Sequence, residues 1–116
     1  AGKALIVSSY THPEYAQSMA ATFELLQANA LLLRGTEGEA VADARRMPQM
    51  DGFIAGQRST LQETQSGSLL ALPGLPQSPD AAATAAYIRE VLAGRSEVPA
   101  PIAVQVEHIL HLVKQL

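Results

Sequence analysis

Cysteine and tryptophan are absent, and aromatic residues make up only 4% of the chain. Without cysteine there is no disulfide, no thiolate nucleophile and no cysteine-type zinc site. So few aromatics argue against a β-sandwich, which draws on Tyr, Phe and Thr. No apolar run approaches the roughly 20 residues that a membrane helix needs. The stretch Ala4-Leu5-Ile6-Val7 is too short for a signal peptide and runs straight into polar residues. These absences suit a cytoplasmic protein without membrane contact. A general excess of positive charge is lacking too: the formal net charge is −3, so nucleic-acid binding would need a local basic patch.

What is present is aliphatic. Hydrophobic residues reach 47% of 116, mostly Ala, Leu and Val, enough for one modest core. Residues 4–8, ALIVS, read as a buried strand. Thr11 and Glu14 have capping-box spacing, and Pro13 suits a first helical turn. Ala16, Met19, Ala20, Phe23 and Leu26 then repeat at helical spacing, with Asn29 a left-handed stop. Residues 30–33, ALLL, form a second buried strand. Strand, helix and strand with short joints predict a βαβ unit with parallel strands.

From Gly35 to Gly67 the periodicity dissolves, leaving a weak apolar set at Met50, Phe53 and Ile54. Residues 68–72 predict a third strand. Ser78-Pro79-Asp80 has the composition of a helix start, and that helix runs to Gly94. A last helix starts near Pro101, with a seam of Ile102, Val106, Ile109, Val113 and Leu116 backed by Leu110 and Leu112. The expected fold class is α/β: a βαβ unit, a further strand and two C-terminal helices, in one segment over 1–116. A strand almost at residue 1 suggests a piece of something longer.

Gly35-Thr36-Glu37-Gly38-Glu39 falls at the carboxyl end of a parallel strand, where open α/β sheets place ligands. Its glycines would let the backbone approach a phosphate, and Glu37 and Glu39 offer hard oxygens to Mg²⁺. The bland alternative is a glycine turn with solvated acids. It is no P-loop, because the Lys-Ser/Thr pair is missing. Arg34, Arg45, Arg46 and Arg58 are four of the eight basic residues and suit phosphate oxygens. Glu37, Glu39, Asp43 and Asp51 lie among them, so internal ion pairing competes with that role. His108 and His111 lack a third ligand nearby and the HExxH order, which favours solvent-facing side chains. Ser8, Ser9, Tyr10 and His12 follow the first strand and reach the same sheet end, in capping and turn roles.

Residues 4–46, from ALIVSSYTH to GTEGEAVADARR, resemble one segment of the anthranilate phosphoribosyltransferase-like proteins. DAAATAAYIREVLAG and PIAVQVEHILHLVKQL are similar to the late helices of that family. The wording R-G-T-E-G-E-x-V-A-D-x-R-R looks closest to its YbiB-like subgroup, described as glycosyltransferase-family or DNA-binding proteins. The resemblance implies the C-terminal part of a large α/β domain, with the small helical domain and diphosphate-binding loops lying before residue 1. It implies a homodimer acting on a sugar diphosphate or on nucleic acid. In the first case a pentosyl group passes to a nitrogen acceptor, with Mg²⁺ and phosphoribosyl diphosphate; in the second, DNA is bound without catalysis. The segment alone would require no cofactor and catalyse nothing. Catalytic members carry an adjacent Asp-Glu pair in this loop, and a histidine before its glycine. Here Glu37 and Glu39 are split by Gly38, and Arg34 precedes Gly35.

Overall fold

The computed structural model describes residues 4–35, 39–43, 46–65 and 80–116. Strand β1 (Ile6–Tyr10), helix α1 (Pro13–Leu25) and strand β2 (Ala30–Arg34) form the expected βαβ unit. β1 pairs with β2 in parallel, Ile6 opposite Ala30 and Tyr10 opposite Arg34. Strand β3 (Met50–Ile54) pairs antiparallel with β2, and β4 (Gln57–Gln62) antiparallel with β3, giving a mixed sheet of order β1-β2-β3-β4. Helices α2 (Ala81–Leu92) and α3 (Ala100–Val113) complete the described chain.

β2 explains the arrangement. All of Ala30, Leu31, Leu32 and Leu33 are buried, because the strand is covered on both faces. Ala30 and Leu32 join Phe53, with Ala20 and Phe23 of α1, on one side. Leu31 and Leu33 join Met50, Ala42 and Leu112 of α3 on the other. The Phe23 and Phe53 rings meet at 5.3 Å, tilted by 57°. Burying each such ring contributes on the order of 2–3 kcal/mol.

Several boundaries differ from expectation. β1 begins at Ile6 and, among the described residues, is an edge strand with Ile6 exposed. Ser8, Ser9 and Tyr10 are therefore its second half, and only His12 lies in the loop beyond. The N-cap of α1 is His12 without a side-chain bond, so Thr11 and Glu14 build no capping box, while Pro13 does open the first turn. The left-handed residue after α1 is Gln27 (φ 52°). Asn29 instead accepts the Ala55 N–H on its side chain at 2.8 Å.

The stretch from Gly35 to Gly67, without periodicity in sequence, contains the β3–β4 hairpin. Its two-residue turn has positive φ at Ala55 (50°) and Gly56 (79°), as a type I′ turn requires. A Cβ on Gly56 would lie 2.9 Å from the Gln27 Cα and the Glu24 carbonyl oxygen, so the turn sits on the end of α1. Asp51 opposes Thr60 while Met50 opposes Gln62, leaving Leu61 as a bulge residue in β4. The strand expected at 68–72 lies outside the described residues, as do Ser78 and Pro79.

Asp80 is itself the N-cap of α2, accepting the Ala83 N–H at 2.8 Å, and Gly94 (φ 77°) follows the helix end as expected. No residue of α2 is buried. In α3 the packed face is rotated from the expected seam: Pro101, Gln105 and Leu112 are buried, whereas Val106 and Val113 are 48% and 47% exposed. Leu112 belongs to the core, and Leu110 faces outward.

Candidate functional site

The parallel strands β1 and β2 end side by side at Tyr10 and Arg34. Alternation puts Ile6, Ser8 and Tyr10 on the α1 face, along with Ala30, Leu32 and Arg34. Asp51 shares that face through its partners Leu32 and Thr60. One corner of the sheet thus gathers Tyr10, Arg34, Asp51, Arg58 and Thr60.

Asp51 is only 5% exposed, and its carboxylate is fully engaged. Arg58 Nη2 donates to Oδ2 at 2.8 Å, Thr60 Oγ1 to Oδ1 at 3.1 Å, and Gln49 Nε2 lies 3.1 Å from both oxygens. A buried carboxylate without such partners would be costly. Burial raises the pKa of the half-buried Tyr10 phenol, and the Asp51 charge adds to the rise. Arg34 and, more weakly, Arg58 pull it back down. Two guanidinium groups and a carboxylate therefore act electrostatically on one phenol.

The loop after β2 is fastened at its base. The Gly35 N–H donates to the Tyr10 carbonyl at 3.0 Å. A Cβ at Gly35 would strike the Glu39 carbonyl oxygen and lie 2.6 Å from the Ser9 Cβ, so the two ends of the loop touch where glycine stands. Beyond it, Gln105 reaches over from α3. Its Nε2 donates to the Ala40 carbonyl at 3.0 Å and its Oε1 accepts the Ala42 N–H at 2.9 Å.

Of the residues singled out in the sequence, Arg34 is exposed at the strand end and makes no ion pair among the described residues. Arg58 is engaged by Asp51, so for this arginine internal pairing is realised, with 40% of its side chain still exposed. Arg46 is exposed, its N–H donating to the Asp43 carbonyl at 3.2 Å. Thr36, Glu37, Gly38 and Arg45 lie outside the described residues. Glu39 is exposed, and among the described residues no group of three or more His, Cys, Asp or Glu side chains is placed to hold a metal. His111 is exposed and sits 2.8 Å from Gln115 Nε2. His108, expected to face solvent, is half-buried, and burial lowers its pKa.

Gln105, Gln49 and Thr60 escaped the sequence reading, and Asp51 entered it only as one of the acids competing for the arginines. A signal for Gln105 existed: it is the polar member of the spacing Pro101, Gln105, Leu112 on the inward face of α3. No helix among the described residues is long and apolar enough to cross a membrane.

No family model matches the chain. Over 106 residues, 90% of its length, it is 39% identical to the uncharacterized protein YbiB of Escherichia coli (strain K12). The match covers 32% of that protein, so the chain spans about a third of its relative's length.

Proposed function

We propose that this chain is part of a homodimeric, phosphoribosyltransferase-like protein that uses the carboxyl end of its sheet to bind nucleic acid and not to transfer a pentosyl group. The observation that carries this reading is the pairing of Tyr10 with Arg34 at the ends of two parallel strands, with Arg58 near enough to act on the same phenol. Guanidinium groups beside an aromatic ring serve both the phosphates and the stacked bases of a single strand. By the family resemblance, Arg34 stands where the catalytic members usually have a histidine, so a permanent cation takes the place of a titrating one. The separated Glu37 and Glu39 also depart from the Asp-Glu unit that handles the metal there.

The test is anisotropy of a labelled single-stranded oligonucleotide with the full-length protein across a salt series. Arg34→Ala should weaken binding about threefold to tenfold and reduce the log–log salt slope by about 1. Absence of binding at low salt would sink the proposal. A second reading, retained pentosyl transfer, draws on the glycine-supported loop at the end of β2. It calls for a rise in melting temperature with Mg²⁺ and phosphoribosyl diphosphate together.

A further inference from the structure

We infer that Gln105 is a positioning residue for the loop after β2, holding it from the opposite side of the sheet. The role of that loop in binding rests on the nucleic-acid reading above; the hold itself does not.

Gln105 is 5% exposed, and both ends of its amide are used on the main chain of one short segment. It donates to the Ala40 carbonyl and accepts from the Ala42 N–H, the pair of bonds that a neighbouring strand would otherwise supply. A buried polar side chain on an aliphatic helix face is costly unless satisfied, so the packing of α3 and the position of residues 40–42 are mutually fixed. Ala42 is buried against Leu112 of the same helix, which gives the hold an apolar component. On the near side the loop is tied by the Gly35 N–H to Tyr10, beside Arg34. The described ends of the loop are thus held at two points, Gly35 on β1 and residues 40–42 on α3, and the Glu39 carbonyl packs where Gly35 stands. Main chain held in this way beside Arg34 has less ordering left to do on binding.

The experiment compares the full-length protein with Gln105→Met and Gln105→Glu, by amide hydrogen exchange and by binding of a fluorescein-labelled single-stranded oligonucleotide. Gln105→Met removes both bonds at similar volume. Ala42 exchange should then accelerate by about tenfold or more, while the amides of β2 and β3 keep their protection. Oligonucleotide affinity should fall about threefold to tenfold. Gln105→Glu keeps an acceptor for the Ala42 N–H and loses the donor to Ala40, so Ala42 protection should be partly rescued. If Gln105→Met does not fold, Gln105→Glu carries the comparison, with intermediate exchange expected.

Unchanged Ala42 exchange in both variants overturns the hold, whether or not the oligonucleotide binds. Faster exchange with unchanged affinity overturns the loop's part in binding. A wild-type protein that binds no oligonucleotide overturns the nucleic-acid reading, and Ala42 exchange alone then decides whether Gln105 positions the loop.

Discussion

Arg58 on β4 donates to Asp51 on β3 at 2.8 Å, although the two are not opposite each other in the ladder: Arg58 faces Phe53, and Asp51 faces Thr60. The arginine leans along the strands to reach a carboxylate that is almost wholly buried. Asp51→Ala and Arg58→Ala should each destabilise the fold, and the double variant should lose less than their sum. A double-mutant cycle by urea unfolding should give a coupling of about 0.5–3 kcal/mol. Additive losses would mean that the pair is only proximity.

Gly35→Ala places a methyl group against a backbone carbonyl that no rotamer change can clear. Overpacking of this kind costs about 1–3 kcal/mol, seen as a lower urea midpoint. Because Gly35 ties the loop to β1, exchange of its own amide should also quicken. A variant as stable as the parent would show that the Glu39 carbonyl moves freely.

Ala55 is a non-glycine residue at φ 50° in a two-residue hairpin turn. Ala55→Asn creates the Asn-Gly pair that such turns favour, and should raise stability by about 0.5–1 kcal/mol. The bond from the residue 55 N–H to Asn29 should survive, since it uses only the main chain. Thermal melts of the two proteins decide the point.

Burial lowers the pKa of His108, with Glu107 opposing the shift and His111 reinforcing it. The unfolded chain, with the ordinary value near 6.5, then binds more protons than the folded one as pH falls through that region. The His108 contribution is present above the unfolded value and is lost as pH drops through the folded one. Melting temperatures taken between about pH 7.5 and 5 should fall less in His108→Gln than in the parent. Parallel curves would place the acid sensitivity elsewhere.

How far the sequence was legible follows from where each residue draws its environment. The βαβ unit was readable because Ala16, Met19, Ala20 and Phe23 repeat with a helical period and ALLL has no polar interruption. The hairpin was not readable: Gln57 to Gln62 is mostly polar, and its turn is Ala-Gly. Its strand character comes from pairing with β3, which local periodicity does not record. The seam of α3 was misplaced because several valines and leucines lie on more than one stripe, and contact with the sheet selects the stripe carrying Gln105. At the sheet end, Arg34 and Gly35 could be placed by the strand before them. The network around Asp51 could not, since it depends on a cross-strand register that no single segment encodes.

The bulge at Leu61 ties the chemistry of this corner to the length of a strand as well as to its composition. Ahead of the bulge Thr60 turns toward Asp51, while Leu61 packs with the α3-side cluster against Gly52. Substitutions at Gln57 and Ser59, which make no contact with Asp51, are therefore buffered, whereas an indel is not. Losing one residue between Asp51 and Leu61 would exchange the faces, presenting leucine to a buried carboxylate and a hydroxyl to an aliphatic core. Over evolutionary time this strand should drift readily in spelling at those two positions and hardly at all in residue count.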